Sequence, residues 1–314
     1  MKKLTDKKYY RKLSAWLTVI RFQFYPMAWI AYSFGALLFV KTAGGDLKQN
    51  IYWTGYSILF IIELITILFN EYFDFDTDSK NKNYSMFTGG TRMLVEGRLS
   101  FREIKAAIVL LLIISAFLIY KLYLFKVLTL TSLLLISVLL FLGIGYTTPP
   151  FKFCYRGLGE LVVCLTHSPI VIMCGFVLQG GSISDPLPWL YSVPLFLATF
   201  SAIVLAGIPD RLSDSALSKK TLAVLLGPRR AAFLAFAGVI AAAISGILLL
   251  YYRLINGLPG ILFLFIIPHA VFLWISIYRI IKTNYYDRQI NFIMQLALSY
   301  IIWFGIIPLI YMFL

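Results

Sequence analysis

Long apolar segments are the feature that most constrains the fold of this chain. Nine segments reach the length of about 20 residues that one transmembrane helix needs. They are 15–40, 51–70, 104–120, 127–145, 158–178, 187–208, 230–252, 258–281 and 290–313. The sequence therefore predicts an all-α, polytopic membrane protein with nine transmembrane helices. Pro26 and Pro194 fall inside these helices, where neighbouring helices can satisfy the freed carbonyl groups, so we expect kinks there.

Charge composition and its distribution support a membrane protein. Only 13% of the residues are charged, whereas a soluble domain typically has about 25%. If the N-terminus is cytoplasmic, the far side of the membrane holds five of the 28 basic residues, which leaves 23 on the cytoplasmic side. This asymmetry satisfies the positive-inside rule. The asymmetry explains most of the net charge of +14, so nucleic-acid binding is not needed to account for it. It predicts a plasma-membrane protein whose loops 71–103, 146–157, 209–229 and 282–289 are cytoplasmic.

Carboxylates cluster at the ends of two predicted helices. Asp74, Asp76 and Asp78 follow the second helix, and Asp210 and Asp214 follow the sixth. Residues four apart in a helix lie about 40° apart around its axis and about 6 Å apart along it. If the second helix continues, Asn70, Asp74 and Asp78 share one face, and Asp210 and Asp214 share a face of the sixth. Asp76 would point away from this face.

Two carboxylate faces directed at one cavity could hold two Mg²⁺ ions. Mg²⁺ suits such a place because it binds through one or two carboxylates together with phosphate oxygens. The alternative is that the carboxylates are solvated caps of helix ends. Two such sets on one side of the membrane, in a chain with only 14 acidic residues, favour the metal site.

Basic residues accompany both carboxylate clusters. Arg92 ends the sequence Thr88-Gly89-Gly90-Thr91-Arg92 after the first cluster, and Lys219 and Lys220 follow the second. Lys152 and Arg156 lie between the two clusters. Each residue alone is explained by the general excess of basic residues in cytoplasmic loops. As a set beside carboxylates they are better explained by a phosphate ligand, whose charge two Mg²⁺ ions only partly neutralise.

These motifs resemble those of a known family. Asn70-x-x-x-Asp74-x-x-x-Asp78 resembles the first signature of the UbiA superfamily of intramembrane aromatic prenyltransferases. The second signature is similar to Asp210-x-x-x-Asp214 with Lys219-Lys220-Thr221-Leu222. Further family segments are similar to Tyr146-Thr147-Thr148-Pro149-Pro150 and Arg156-Gly157-Leu158-Gly159-Glu160, and Arg21 has a family counterpart. The resemblance spans nearly the whole chain.

The Pro209-Asp210 pair and residues 89–94 most resemble 1,4-dihydroxy-2-naphthoate polyprenyltransferases of menaquinone synthesis. Two positions depart from the family pattern. Ser218 stands where relatives usually have Gly, and Phe22 stands where they usually have Pro.

The resemblance implies a fold and an activity. It implies a single domain, 1–314, with helices around a central cavity, and the spacing of the clusters suggests a weak internal repeat of about 15–145 and 158–281. It implies an enzyme that transfers a polyprenyl group from polyprenyl diphosphate to an aromatic acceptor, with Mg²⁺ as cofactor and a prenyl tail that reaches the membrane lipids.

The resemblance also implies roles for residues. The metal ligands would be Asn70, Asp74, Asp78, Asp210 and Asp214. Substrate contacts would come from Arg21, Arg92, Arg156, Lys219 and Lys220. Lys152 would help activate the leaving group, and Tyr146 and Tyr72 could stabilise a carbocation with their ring faces.

Other functions fit part of the pattern. Within the same enzyme class, the acceptor could be 4-hydroxybenzoate, homogentisate, haem or a lipid headgroup. A transporter is a candidate from a different class, because intramembrane acids also mark ion pathways. Transporter sites usually lie near the bilayer midplane, whereas these clusters lie at one face. The acceptor, the prenyl chain length and the oligomeric state are open.

Glu63 is an acidic residue in the middle of the second predicted helix. A charged side chain there costs about 2.5–3.5 kcal/mol if it faces lipid, so we expect it to face the interior. It precedes Asn70 by seven residues, which places it about 20° from the same face and about 10 Å deeper. We therefore expect Glu63 to line the cavity below the metal site, where it could bind the hydroxyl of the acceptor or help to remove its proton. The alternative is a structural partner on a neighbouring helix.

Overall fold

The described structure is all-helical. The computed structural model describes residues 2–81, 90–283 and 290–314. Within these ranges the α-helices are α1 (Lys2–Ile20), α2 (Tyr25–Ala43), α3 (Gln49–Phe73), α4 (Phe75–Lys80), α5 (Phe101–Leu124), α6 (Leu130–Gly145), α7 (Gly159–His167), α8 (Pro169–Gln179), α9 (Pro186–Ala216), α10 (Leu222–Leu226), α11 (Pro228–Tyr251), α12 (Gly257–Leu262), α13 (Ile266–Thr283) and α14 (Ile290–Phe313). The predicted fold class is confirmed.

The number of transmembrane helices differs from the nine predicted. In the described ranges, seven helical segments are long and apolar enough to cross a membrane, and an eighth is obtained if the bent pair α1 and α2 forms one span. The predicted segment 127–145 contains α6, which has only 16 residues. The chain is therefore a multi-pass membrane protein, but the count of nine is not confirmed.

Exposed apolar side chains agree with a lipid environment. On α5, Leu110, Ile113 and Phe117 are all more than half exposed. They recur at helical spacing along one face, which water would disfavour and lipid tails would cover. We infer that this face of α5 contacts the bilayer.

The first predicted helix is not continuous. Arg21 adopts a left-handed conformation with φ of 55°, and α1 and α2 meet at a bend of 47°. Pro26 lies in the first turn of α2, where its missing N–H costs nothing. Pro26 therefore starts a helix, and the prediction that it kinks one was wrong. The break brings Arg21 to the site described below.

The predicted segment 158–178 is also divided. α7 ends at His167, and Pro169 begins α8 after Ser168, whose φ and ψ are −134° and −92°. The hydroxyl of Ser168 donates to the carbonyl of Ser192 at 2.8 Å. Proline disfavours helical geometry in the residue before it, so this break has a local cause.

Close helix packing holds the centre of the fold together. α2 packs along α8, and α9 packs against α7, α10, α11 and α14. Gly35 of α2 lies so close to α8 that an added Cβ would overlap the carbonyl oxygen of Ile172. Gly175 of α8 is equally close to the carbonyl oxygen of Tyr32. Small residues of this kind let membrane helices approach closely.

α9 is the long helix that carries the second carboxylate cluster to the site. It contains Pro194, as predicted, and also Pro209, and it continues to Ala216. Because the helix does not stop at the predicted position 208, Asp210 and Asp214 stay on helical geometry. Asp210 and Asp214 therefore share one face of α9, as their spacing predicts.

Candidate active site

A cavity of about 190 Å³ lies where the ends of α3 and α9 meet the loops that follow α6 and α9. The lining includes these residues that the sequence predicts as site residues: Arg21, Asn70, Asp74, Asp78, Tyr146, Asp210, Asp214 and Lys219. Residues from distant parts of the chain thus share one cavity.

The first carboxylate cluster keeps helical spacing across the end of α3. The amide of Asp74 donates to the carbonyl of Asn70 at 2.8 Å, and the amide of Asp78 donates to the carbonyl of Asp74 at 2.8 Å. The turn between α3 and α4 therefore preserves the i, i+4 register. Asn70, Asp74 and Asp78 all line the cavity, whereas Asp76 is exposed, as predicted.

Neighbouring polar groups orient this cluster. The hydroxyl of Thr147 donates to Asn70 Oδ1 at 3.0 Å, and the hydroxyl of Tyr155 donates to Asp74 Oδ1 at 2.9 Å. Burial raises the pKa of Asp78 to about 8, and the nearby charge of Asp74 acts in the same direction. Cations brought to the cavity would favour the ionised form of this carboxyl group.

The second cluster is connected to the first by two contacts. Asn81 Nδ2 donates to Asp210 Oδ1 at 2.8 Å. Lys219 Nζ lies 3.2 Å from Asp74 Oδ2 and 3.7 Å from Asp214 Oδ1. Burial lowers the pKa of Lys219, but the two carboxylates outweigh this effect and hold it well above its usual value. A positive charge therefore lies between the clusters.

Two glutamates anchor the loops beside the cavity. Glu71 accepts hydrogen bonds from the hydroxyl of Thr91 at 2.6 Å and from the amide of Leu94 at 3.0 Å. Glu160 accepts from the amide of Leu222 at 2.7 Å, at the start of α10. Both glutamates line the cavity. We did not predict either role, because the sequence gives no indication of which distant loop a glutamate will hold.

Glycine allows one of these loops to approach the first cluster. Gly90 has φ of 67°, and an added Cβ would overlap Asp78 Oδ2. The loop therefore needs glycine at this position for both its conformation and its proximity. Thr88 and Gly89 of the same motif lie outside the described residues.

Several predicted site residues lie outside the cavity lining. The guanidinium of Arg92 donates to the carbonyl of Asp78 and so supports α4. The ammonium of Lys152 lies 4.8 Å from the ring centroid of Tyr155. Arg156 is exposed and donates to the carbonyl of Pro150 at 2.7 Å, and Lys220 is exposed.

The two aromatic residues predicted for the cavity wall differ in position. Tyr146 lines the cavity. Tyr72 does not line the cavity. Its ring packs against Phe101 at a centroid distance of 5.2 Å, and the ammonium of Lys105 lies over its face. The i, i+2 relation of Tyr72 to Asp74 places the two side chains on different faces of the helix.

Glu63 is partly buried on α3. It is outside the lining of this cavity, and its electrostatic neighbours are Tyr25 and Tyr56. Ile67, one turn further along α3, does line the cavity. Glu63 therefore lies one turn below the cavity lining.

The charged groups of the cavity suit an anion that binds together with divalent cations. Among the described residues, no group of three or more acidic, histidine or cysteine side chains surrounds one point. A divalent ion would therefore need oxygen atoms from its ligand as well as from the protein, which is the usual environment of Mg²⁺ beside phosphate. Lys219 already places one positive charge between the two clusters.

Comparison with known proteins identifies the family of the chain. The UbiA prenyltransferase family matches residues 28–299. UbiA prenyltransferase domain-containing protein 1 of Rattus norvegicus is 30% identical over 161 residues, which cover 51% of this chain and 46% of the relative. A 2-carboxy-1,4-naphthoquinone phytyltransferase of Synechocystis is 36% identical over 102 residues, 32% of each chain. These alignments span less than half of each relative.

Solved structures share the fold over a larger part of the chain. A UbiA homologue from Aeropyrum pernix superposes with a TM-score of 0.67 at 19% identity, covering 90% of this chain and 96% of that one. A UbiA homologue from Archaeoglobus fulgidus, bound to GPP and Mg²⁺, gives a TM-score of 0.59 at 15% identity and covers 92% and 98%. Because the family match extends over most of the sequence, this multi-pass membrane protein belongs to the UbiA prenyltransferase family.

Proposed function

We propose that this enzyme transfers a polyprenyl group from its diphosphate to 1,4-dihydroxy-2-naphthoate, a step of menaquinone synthesis. The observation that carries the diphosphate part is the cavity in which Lys219 lies between Asp74 and Asp214. The similarity to a naphthoquinone phytyltransferase supports the choice of acceptor.

The donor set of the cavity fits Mg²⁺. Carboxylate and amide oxygens are hard ligands, which this ion prefers. The residues that would hold it are Asn70, Asp74, Asp78, Asp210 and Asp214, all of which line the cavity. When bound, Mg²⁺ would neutralise part of the charge of the diphosphate.

Basic residues would bind the rest of that charge. Arg21 and Lys219 line the cavity, and Lys152 lies near Tyr155, whose hydroxyl is bonded to Asp74. Positive groups held in place before the reaction stabilise the charge that develops on the leaving oxygen. The allylic C–O bond breaks, and its electron pair leaves with the diphosphate. Arg92 would contribute indirectly, through the carbonyl of Asp78. Arg156 and Lys220 would meet the substrate only at the cavity entrance, because both are exposed.

An electron-rich ring carbon of the acceptor then forms a bond to the allylic carbon. In 1,4-dihydroxy-2-naphthoate the attacked ring carbon carries the carboxyl group. The ring therefore loses CO₂ from that carbon, where another acceptor would lose a proton. The ring of Tyr146, in the cavity wall, would stabilise the allylic cation by its π face. Exclusion of water from the site would prevent capture of that cation by hydroxide or water.

We also propose that the enzyme lies in the plasma membrane with this cavity on the cytoplasmic side. The excess of Lys and Arg in the loops that carry the site supports this orientation. Cysteine accessibility on the two sides of intact cells would test it.

The test of the activity is a reconstituted transfer assay. Purified protein in lipid nanodiscs would receive labelled geranylgeranyl diphosphate and, separately, 1,4-dihydroxy-2-naphthoate, 4-hydroxybenzoate, homogentisate, haem b or glycerol 1-phosphate. We expect Mg²⁺-dependent product with the naphthoate and loss of that product with a chelator. Transfer to a different acceptor would overturn the naphthoate assignment, and transfer that is unaffected by chelation would overturn the metal assignment.

A further inference from the structure

A polar patch lies inside the membrane region, one turn below the cavity. It consists of Glu63 and Tyr56 on α3 and Tyr25 on α2. Glu63 precedes Ile67 by four residues and Asn70 by seven, so both lie within about 40° of Glu63 around the axis of α3. Ile67 and Asn70 line the cavity. The face of α3 that forms the cavity wall therefore continues down to Glu63.

Ring contacts place Tyr25 over the same part of α3. The ring of Tyr25 lies 4.5 Å from that of Phe60, and the ring of Tyr56 lies 6.4 Å from that of Phe60. Glu63 is close enough to both tyrosines to interact with them electrostatically. One carboxyl group and two phenols thus share a small region between α2 and α3.

Within the described residues, two polar groups of this patch have no hydrogen-bond partner. Tyr25 is only 4% exposed, and its hydroxyl makes no hydrogen bond within the described residues. A buried phenol normally has a partner. The hydrogen bonds found within the described ranges also include none to the carboxyl group of Glu63. Two polar groups without partners, next to a cavity and inside an apolar bundle, indicate a ligand.

The opposite wall has a different character. α9 contributes Ile203, Ala206 and Gly207 to the cavity lining. These side chains are apolar and two of them are small, so they leave space for a flat ring and offer it no hydrogen bond. A ring beside these three residues would therefore find no hydrogen bond on α9, whose polar residues Asp210, Ser213 and Asp214 lie further along the helix.

We infer that Glu63 and Tyr25 bind the hydroxyl-bearing edge of the aromatic acceptor. This inference rests on the proposed transferase function and extends it to acceptor recognition. Glu63 accepts a hydrogen bond from a ring hydroxyl, and the phenol of Tyr25 bonds to the same or a neighbouring oxygen. The acceptor ring then lies below the diphosphate, with its face towards the allylic carbon. An aromatic compound without a ring hydroxyl would leave both groups unpaired, and this gives the site its selectivity.

The first test compares substrates in steady-state kinetics. In nanodiscs with geranylgeranyl diphosphate and 1,4-dihydroxy-2-naphthoate, Glu63→Leu should raise the acceptor KM about ten- to hundred-fold, the effect of losing a hydrogen bond to a charged group. The KM for the diphosphate should stay within about two-fold of wild type, since Glu63 does not contact it. Glu63→Gln and Tyr25→Phe should have smaller effects in the same direction.

The matched control is Ser57→Leu. Ser57 is also a polar residue of α3, but its hydroxyl donates only to the carbonyl of Trp53 at 2.7 Å, one turn earlier in the same helix. This variant should keep both KM values. It controls for the general effect of replacing a polar side chain by leucine in this helix.

The second test measures binding without turnover, by calorimetry with 1-hydroxy-2-naphthoate and 2-naphthoate. Wild type should prefer the hydroxylated compound about ten-fold or more, and Glu63→Leu should bind the two equally. A variant that retains the wild-type preference and the wild-type acceptor KM would overturn the inference about Glu63. If wild type transfers to none of the acceptors, the proposed function fails instead, and the binding comparison still decides whether Glu63 recognises the hydroxyl.

Discussion

The ammonium of Lys219 lies 3.2 Å from Oδ2 of Asp74, although 145 positions separate the two residues in the chain. Both side chains are mostly buried, at 13% and 12% exposure. This ion pair closes the cavity between the first and second carboxylate clusters. It makes Lys219 an internal cation of the cavity, in addition to Arg21.

We predict that Lys219→Met destabilises the protein most strongly in the absence of Mg²⁺. Removal of one partner leaves Asp74 and Asp214 buried without their nearest cation, at a cost of about 3 kcal/mol. The apparent melting temperature in a chelator should fall by about 5 °C or more, and Mg²⁺ should restore much of the loss. Lys220→Met, a change at the exposed neighbouring residue, should have little effect. An equal loss in both variants would contradict this role for Lys219.

We predict that Asp74→Asn and Asp210→Asn each reduce prenyl transfer by about a hundred-fold or more. Each change removes a negative charge that would hold a cation against the diphosphate. Asp76→Asn makes the same chemical change at an exposed position and should leave turnover near wild type. Initial rates at saturating Mg²⁺ would measure this. Near-normal turnover of either Asp74→Asn or Asp210→Asn would disprove the paired-carboxylate site.

We predict that Glu71→Ala loosens the loop that follows the first cluster. Its carboxylate accepts from Thr91 and Leu94, and each buried donor left without a partner costs about 1–3 kcal/mol. Hydrogen–deuterium exchange of the Leu94 amide should accelerate at least ten-fold, and kcat should fall. Glu96→Ala is the control, because Glu96 pairs with Arg98 at an exposed position where ion pairs contribute little. Unchanged exchange at Leu94 would show that Glu71 does not hold the loop.

We predict that Lys152→Ala affects the diphosphate substrate rather than the acceptor. Lys152 lies over the ring of Tyr155, which in turn bonds to Asp74. Its loss should raise the KM for the diphosphate or lower kcat by about ten-fold, with little change in the acceptor KM. Steady-state kinetics with each substrate varied in turn would separate the two effects. A change confined to the acceptor KM would remove Lys152 from leaving-group activation.

Local periodicity was enough to predict which residues of the first carboxylate cluster face the cavity. Asn70, Asp74 and Asp78 lie on one face because helical spacing depends only on the backbone between them. Asn81 lies three residues beyond Asp78, which is also one helical turn, and its amide contacts Asp210. That residue could have been identified from the sequence by continuing the pattern by one further turn.

Contacts between distant segments could not be predicted from local spacing. The hydrogen bonds of Glu71 and Glu160 depend on where loops lie relative to helices, and neither spacing nor charge specifies that position. The division at Ser168 had a local signal in Pro169, but the apolar run on both sides concealed it. Charge alone likewise could not separate Lys219, which lies inside the cavity, from the exposed Lys220.

The separation of Asp74 and Lys219 also has a consequence for biosynthesis. At about 5–20 residues per second, roughly 7–30 s pass between the synthesis of these two residues. During that interval α3 can enter the membrane, while Asp74 must stay hydrated at its surface because its ion-pair partner Lys219 has not been made. A ribosome that stalls before residue 219 would therefore leave an inserted chain whose first cluster remains open to water, and quality-control proteases would meet it in that state.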